Sequence, residues 1–189
     1  MATKSLYTTV LVTDSILRHV DEKSTLGIGH DLIKINKSMA IDLSDWKLRR
    51  SIAELKPHFV YIHLGIQDFR RGRKIKELLK EYDDFANWSR RMIPDAKIIF
   101  SLPLPTDIKF EAEVLYNFRW RIYDWMHDKD PAGKYLFINF NPNMIDRGLQ
   151  RPGLYANDGV HLLSSGKGVM MRSFRGFIHT LVKRYFKRR

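Results

Sequence analysis

Cysteine is absent from the 189 residues of this chain, which excludes a disulfide framework and a thiolate metal site. Long apolar runs are absent too, since none approaches the roughly 18 residues of a membrane-spanning helix. The opening Met1-Ala-Thr-Lys-Ser lacks the apolar segment of a signal peptide. No repeat, low-complexity segment or interdomain linker is visible. We therefore expect a single domain over residues 1–189, intracellular and cytoplasmic, long enough to bury a substantial core.

Acidic residues are few beside basic ones, 21 against 33, which gives a net charge of +12 and a pI near 9.9. Such a balance favours polyanionic partners, namely RNA, DNA or an anionic membrane surface. The basic residues concentrate at 47–50, at 70–74 and in a tail at about 183–189. The predicted contacts are Arg70, Arg71, Arg73, Lys183, Arg184, Lys187, Arg188 and Arg189. For each cluster the alternative is a solvated helix face.

Two hydrophobic periodicities alternate along the chain. Apolar runs of strand length predict strands at 6–12, 32–36, 59–64, 97–102 and 134–140. Helical spacing predicts helices at 15–21, 44–55, 74–92 and 111–127, and a last one from about 165. In the helix at 111–127, one stripe contains Leu115, Phe118, Ile122 and Trp125. We interpret its aromatic residues as core packing rather than as a cofactor site.

This alternation predicts a three-layer α/β/α sandwich with a five-stranded parallel sheet covered on both faces. Short right-handed crossovers allow few topologies, and the flavodoxin-like strand order 2-1-3-4-5 is one of them. Such sheets bind ligands beyond the carboxyl ends of their strands, where the winding reverses. A long connection without predicted elements, at 141–157, follows the fifth strand. It is long enough to carry the next segment back across the sheet edge.

Three side chains could carry nucleophilic chemistry. Ser15 comes shortly after the first apolar run, where a strand should give way to a helix, and Asp158 and His161 lie three residues apart in one turn. A serine, an imidazole and a carboxylate are the minimum set for acyl transfer, provided that the fold brings them together. Each has an alternative role. Ser15 could cap a helix, Asp158-Gly159 could form an ordinary turn, and His161 could be a structural histidine at a helix entrance.

The order and spacing of four sequence blocks resemble the SGNH (GDSL-type) hydrolases. The blocks are Thr13-Asp-Ser15, residues 36–40, Gly65-Ile-Gln-Asp68 and Asp158-Gly-Val-His161. The family has a Gly-Asp-Ser turn with the nucleophile, a glycine after the second strand, a Gly-x-Asn-Asp block and an Asp-x-x-His turn. The resemblance spans the whole chain, and it favours the strand order 2-1-3-4-5, which the family has. It implies a serine esterase without cofactor or metal, and the remaining histidines, such as His63, show no zinc-ligand spacing.

By this resemblance, Ser15 is the nucleophile, His161 the general base and Asp158 the residue that orients the imidazole. The oxyanion hole would combine the backbone amide of Ser15, an amide near Ser38 and the side chain of Gln67. The implied substrate is a short acyl ester, such as an acetylated sugar or a lipid.

Three positions depart from the family pattern. Thr13 replaces a glycine, and a β-branched residue is poorly suited to a position that needs a positive φ. Gln67 replaces asparagine, so its amide must be placed by a different rotamer. Ser38 or a neighbour replaces the glycine of the second block, but a backbone amide does not depend on the identity of the side chain.

The pentapeptide from Asp14 to Arg18, the length and the basic character resemble the esterase domain in first-open-reading-frame proteins of some non-LTR (LINE-type) retrotransposons. In those proteins the esterase accompanies a coiled coil in a nucleic-acid-binding particle. No heptad run is visible, so this chain would be the esterase part. The alternative is a catalytically weak or inactive module of the same fold that holds nucleic acid or an anionic membrane through its basic surface.

Overall fold

The structure is a computed structural model that describes residues 6–14, 17, 26, 29–105, 109–146 and 149–186. Its main sheet has five strands, β1 (Tyr7–Thr13), β2 (His30–Asn36), β3 (Phe59–His63), β4 (Lys97–Ser101) and β5 (Leu136–Asn139). All neighbours are parallel, and the spatial order is β2-β1-β3-β4-β5. The predicted fold class and strand order are thus confirmed.

Helices cover both faces of the sheet: α1 (Trp46–Leu55), α2 (Ile66–Arg70), α3 (Ile75–Met92), α4 (Lys109–Lys129) and α5 (Ser164–Tyr185). The register of β3 and β4 places Tyr61 and Phe100 on opposite faces. The Tyr61 ring contacts Phe174 of α5, with 4.6 Å between centroids. Phe100 contacts Tyr82 of α3 at 4.4 Å and Trp125 of α4 at 5.5 Å. Therefore α5 covers one face, and α3 and α4 cover the other.

The central strands form because their apolar residues can be buried on both sides. Val10, Leu11 and Val12 of β1 are completely buried between β2 and β3. A continuous apolar run of this kind is typical of a strand inside a parallel sheet.

The inward face of α4 agrees with its predicted stripe. Leu115, Phe118 and Ile122 are buried, and Trp125 is half-buried with its indole N–H donated to Asp83. These residues pack as core, as predicted. Other aromatic residues of the same helix are exposed on its outward face, namely Tyr116, Trp120 and Tyr123.

The connection at 141–157 differs from its prediction, because it contains regular structure. A 3-10 turn at Pro142–Met144 leads into a two-stranded antiparallel hairpin of β6 (Ile145–Asp146) and β7 (Leu149–Gln150). The expectation of a connection without elements was wrong, since elements of two or three residues are too short to show a hydrophobic period. A second 3-10 turn at Ala40–Ser44 and the short helix α2 were also missed, because the five residues of each cover less than two helical turns.

Parts of two predicted elements lie outside the described residues. Within the predicted helix at 15–21, only Leu17 is described, and it is buried. In the predicted basic tail, 187–189 are outside, whereas Lys183 and Arg184 belong to the last turn of α5. Among the helices of the described ranges, none combines the length and the apolar character needed to cross a membrane.

Candidate active site

The first three sequence blocks meet at the carboxyl edge of the sheet. The backbone amide of Lys37, just after β2, donates to the carbonyl of Thr13 at the end of β1 (2.8 Å). The amide of Ala40 donates to Oδ2 of Asp68, which follows β3 (2.7 Å). These bonds join the end of β1 to the loop after β2, and that loop to the segment after β3.

The fourth block reaches the same edge through the loop after β4. A β-carbon on Gly65, after β3, would lie 3.2 Å from Cγ of Pro103, so these two loops are in contact. The side-chain amide of Gln150 donates to the carbonyl of Pro105 at 2.9 Å and to that of Gly159 at 2.5 Å. One glutamine thus ties the turn of Asp158 and His161 to the carboxyl end of β4.

Within this turn, the Asp158 carboxylate binds the His161 ring. Nδ1 of His161 lies 2.5 Å from Oδ2 of Asp158, while Oδ1 accepts the backbone amides of Val160 at 3.0 Å and of His161 at 2.9 Å. The hydrogen bond from the His161 ring, followed by the two backbone amides, lowers the pKa of the Asp158 carboxyl. Asp158 is therefore ionised at neutral pH and acts only as an acceptor.

This contact determines which ring nitrogen of His161 can act as a base. Because an ionised carboxylate only accepts, Nδ1 carries the proton, and Nε2 of a neutral imidazole is then the atom with the lone pair. Nε2 makes no hydrogen bond to any part of the chain that is described. The side chains are exposed by 56% for His161 and 50% for Asp158. A substrate or nucleophile can therefore approach Nε2 from solvent.

The backbone around the pair is held as a narrow loop against the start of α5. The amide of Ala156 donates to the carbonyl of His161 (2.8 Å), and that of Leu163 donates to Leu154 (3.0 Å). A β-carbon on Gly166 would lie 2.1 Å from the carbonyl oxygen of Leu154. Only glycine allows the helix to approach this closely, so Gly166 helps to position the pair.

Ser15, the predicted nucleophile, lies outside the described residues. Its neighbour Thr13 ends β1 with an extended backbone and is fully buried. The replacement of glycine by threonine therefore places no β-branched residue at a positive φ. Asp14 is also buried, at 3% exposure.

Gln67 lies on α2 at the carboxyl end of β3 and is half-buried. Its side-chain amide makes no hydrogen bond to the described residues. The next residue, Asp68, is completely buried and forms an ion pair with Arg73, with 2.7 Å between Oδ1 and Nη1. Asp68 thus anchors the short helix on which Gln67 lies.

The amide of Ser38, which the sequence suggested as an oxyanion-hole donor, is already engaged. It donates to Oδ2 of Asp42 at 2.9 Å, and the amide of Met39 donates to the same oxygen at 3.0 Å. The cause is local, because Asp42 closes the start of the 3-10 turn in which it lies. With the amide of Ala40 bound to Asp68, all three amides donate to carboxylates.

The basic residues of the block at 70–74 have different environments. Arg70 and Arg71 are exposed, and Nη1 of Arg71 lies 3.2 Å from the sulfur of Met39. Arg73 is only 17% exposed and pairs with both Asp68 and Glu81. Arg73 is therefore used to hold the structure together.

The basic residues of the tail lie at the opposite edge of the sheet. Lys183 and Arg184 are exposed near the end of α5, whereas Lys187, Arg188 and Arg189 are outside the described residues. The 22 residues of α5 span about 33 Å, from the carboxyl edge to the amino edge. The cluster at 70–74 and the described part of the tail therefore lie at opposite edges of the sheet.

A buried polar network beneath the site was not anticipated. Nδ1 of His63 lies 2.9 Å from Oγ of Ser101, which also accepts the side-chain amide of Asn141 at 3.0 Å. Asn139 donates to the hydroxyl of Tyr61 at 2.7 Å. Burial lowers the pKa of His63 to about 4, so the ring is neutral at pH 7. The available signal was a polar residue at the last position of each of β3, β4 and β5.

A patch of exposed aromatic residues on α4 was missed as well. Around a hollow of about 280 Å³ lie Tyr116, Arg119, Trp120, Tyr123 and Phe140. Nη2 of Arg119 donates to the carbonyl of Phe140 at 3.1 Å. As for metals, no group of three or more histidine, aspartate or glutamate side chains could hold an ion within the described part of the chain.

The fold is shared with solved esterases and lipases. No family model matches this chain, and no curated protein sequence matches it. An acetyl esterase mutant with acetate ion has a TM-score of 0.74 at 18% identity, covering 94% of this chain and 99% of its own. A family 3 carbohydrate esterase of Clostridium thermocellum reaches 0.72 at 12%, covering 94% and 97%. A GDSL-like lipase from Bacteroides thetaiotaomicron reaches 0.67 at 19%, covering 93% and 89%. The chain therefore has the three-layer fold of GDSL-type esterases.

Proposed function

We propose that this protein is a serine esterase of the SGNH type, in which Ser15, His161 and Asp158 form the catalytic triad. The hydrogen-bonded pair of Asp158 and His161 supports this most directly, because it presents an accessible Nε2 at the edge of the sheet where β1 ends. The fold shared with an acetyl esterase and a carbohydrate esterase supports the same reaction class.

In this mechanism, Nε2 of His161 removes the hydroxyl proton of Ser15 while the serine oxygen attacks the ester carbonyl carbon. Asp158 keeps the Nδ1 proton in place and stabilises the imidazolium. The tetrahedral intermediate then collapses, and His161 returns the proton to the departing alcohol. Water, deprotonated by His161, then attacks the acyl carbon. The bond from that carbon to the serine oxygen breaks, His161 returns the proton to Ser15, and the carboxylic acid is released.

The negative oxygen of the intermediate needs donors. We assign the backbone amide of Ser15 and the side chain of Gln67, which lies at the carboxyl end of β3 and makes no hydrogen bond to the residues that the structure describes. The amide of Ser38 stays with Asp42 in this arrangement. Removing one oxyanion donor typically lowers the rate by about a hundredfold or more. The proposed substrate class is a short acyl ester, and acetyl esters of sugars or lipids are the first candidates to test.

The test is hydrolysis of p-nitrophenyl acetate by the purified protein. Ser15→Ala and His161→Ala should each lower kcat/KM by about a thousandfold or more with unchanged thermal unfolding. Ser164→Ala is a matched control, because this serine is exposed on the first turn of α5. A fluorophosphonate probe should label Ser15. Equal rates for the wild type and Ser15→Ala, or a label on another serine, would refute the assignment.

A second function is favoured by the amino edge of the sheet. Lys134, Lys183 and Arg184 line an open pocket of about 510 Å³ there, together with Tyr185. Nζ of Lys97 and Cζ of Arg184 lie 4.9 and 5.2 Å from the centroid of the Tyr185 ring. Cations beside an aromatic ring are suited to a nucleic-acid backbone and its bases. We propose that this surface binds RNA or DNA in a retrotransposon-type particle in the cytoplasm.

Fluorescence anisotropy with a single-stranded RNA oligonucleotide tests this second function. The double variant Lys183→Glu, Arg184→Glu should weaken binding and reduce the slope of log affinity against log salt by about 2. The matched control is Arg172→Glu, Arg175→Glu, which changes two exposed cations of the same helix. Salt-independent binding, equal loss in the control, or preference for phosphatidylserine vesicles over RNA would contradict a nucleic-acid site.

A further inference from the structure

A groove between α3 and α4 has no part in the proposed esterase reaction. Its volume is about 490 Å³, within the range of small-molecule sites. Phe69, Ile75, Leu79 and Val114 form an apolar floor. Phe69 is buried. The other three side chains pack against the core but are only half-buried, although they are apolar. The groove therefore offers apolar surface that a ligand could remove from water.

Cations surround this apolar floor. Lys74, Lys76 and Arg121 line the groove, and all three are exposed. None of them forms an ion pair with another described residue, in contrast to Arg73, whose guanidinium is occupied by Asp68 and Glu81. Three positive charges that form no ion pair within the described ranges, placed around apolar side chains, complement a ligand with an anionic head and an apolar body.

The groove is separate from the candidate active site. Gln67 and Phe69 are two residues apart on α2, which places them about 200° apart around the helix axis. Phe69 faces the groove side, where its ring contacts Phe118 of α4 with 5.2 Å between centroids. Gln67 therefore points away from the groove.

We propose that this groove binds one molecule of a single-chain lipid with an anionic headgroup. The acyl chain lies along Ile75, Leu79 and Val114, and the headgroup is held by the cations at the rim. An acyl chain suits the floor better than a peptide, because a peptide would bury backbone polar groups there and Asn117 is the one uncharged polar side chain among the lining residues. A free phosphate would bind the cations but would leave the apolar side chains of the groove exposed to water. The recessed floor favours a lipid monomer over a membrane surface, which takes protruding apolar residues.

Calorimetric titration with oleoyl lysophosphatidic acid, below the concentration at which it forms micelles, tests the site. The Ser15→Ala protein is used, so that turnover of this ester is blocked and binding is read independently of esterase activity. We expect saturable binding of one lipid per chain. Glycerol 3-phosphate lacks the acyl chain and should bind at least tenfold more weakly, since each buried methylene contributes roughly fourfold in affinity. Monooleoylglycerol lacks the negative charge that the cations at the rim attract, and it should also bind at least tenfold more weakly.

Two variants locate the ligand. Lys76→Glu, Arg121→Glu should weaken lysophosphatidic acid binding tenfold or more by reversing the rim charge, and Leu79→Asn should do so by making the floor polar. Arg172→Glu, Arg175→Glu is the matched charge control on α5, across the sheet, and should bind as the parent does. Thermal unfolding checks that each variant is folded. The proposal would be overturned if the protein did not bind lysophosphatidic acid, if both groove variants bound it as the parent does, or if binding occurred only with vesicles. Tighter binding of an acidic amphipathic peptide than of lysophosphatidic acid would also overturn it.

Discussion

Asp158 holds His161 by both its ring and its backbone. Oδ2 of the carboxylate lies 2.5 Å from Nδ1 of the imidazole, and Oδ1 accepts the His161 amide at 2.9 Å. One side chain thus sets the direction of the ring and the path of the loop that carries it. A carboxylate in this position also keeps Nε2 as the basic atom, which is what proton removal from a serine requires.

Asp158→Asn should therefore impair catalysis more than binding. The amide can still accept the Nδ1 proton, but it has no charge to stabilise the imidazolium. We expect kcat for p-nitrophenyl acetate to fall by about 10²- to 10⁴-fold with KM nearly unchanged. Asp146→Asn, at an exposed position of β6, is the control and should be neutral. A loss of less than about tenfold in kcat would show that the pair is only structural.

Asp68→Ala should destabilise the fold. Asp68 is completely buried, accepts the Ala40 amide and pairs with Arg73. Its loss leaves a buried amide without an acceptor, although Arg73 retains Glu81. We expect the free energy of unfolding to fall by about 3 kcal/mol in urea titrations. Asp128→Ala, at an exposed position of α4, should change it by less than about 0.5 kcal/mol. Similar effects of both substitutions would contradict this role.

Gly166→Ala tests the contact that positions the turn of Asp158 and His161. The added β-carbon would lie 2.1 Å from the carbonyl oxygen of Leu154, so α5 or the loop must move. Stability and esterase rate should fall together, as measured by thermal unfolding and ester hydrolysis. Gly176→Ala is the matched control in the same helix, because its β-carbon meets nothing within 4 Å. It should stabilise the protein by up to about 1 kcal/mol. Equal stabilities of the two variants would argue against the close approach.

His63 should make stability depend on pH. Burial lowers its pKa from 6.5 to about 4, so between these values the unfolded chain binds a proton that the folded protein does not. The free energy of unfolding should therefore fall as the pH decreases through this window, by about 3 kcal/mol in total. Half-buried His30, whose pKa is also lowered to about 4 mainly by burial, acts in the same direction.

The measurement is urea unfolding at several pH values from 7 down to 4, with His63→Asn compared with the wild type. The variant should lose most of the decrease that His63 contributes, while His127→Asn, at an exposed position of α4, should retain it. An unchanged slope in His63→Asn would mean that other groups cause the acid sensitivity.

Much of this molecule follows from local sequence pattern. Apolar runs such as that of β1 and the stripe of α4 have the periods of a buried strand and an amphipathic helix, and their alternation leaves few topologies. The contact of Asp158 with His161 was predictable for the same reason. Two residues that are three positions apart in one turn must lie close together, so their spacing in the sequence already implies a short distance in space.

Other features depend on which distant side chains meet. From the sequence, the amide of Ser38 was expected to be an oxyanion donor, but in the structure it donates to Asp42. Arg73 was expected to be one of several exposed cations, but it pairs with Asp68 and Glu81.

The sequence by itself determined the alternation of strands and helices that makes an α/β/α fold and the pairing of Asp158 with His161, because hydrophobic period and short spacing act locally; the strand order also drew on the resemblance to a known family. Tertiary structure alone decided that the basic clusters lie at opposite edges, since α5 crosses the sheet between them, and that α3 and α4 leave a groove with a cationic rim. Both outcomes arise from how whole helices pack, and no single segment of the chain encodes that packing.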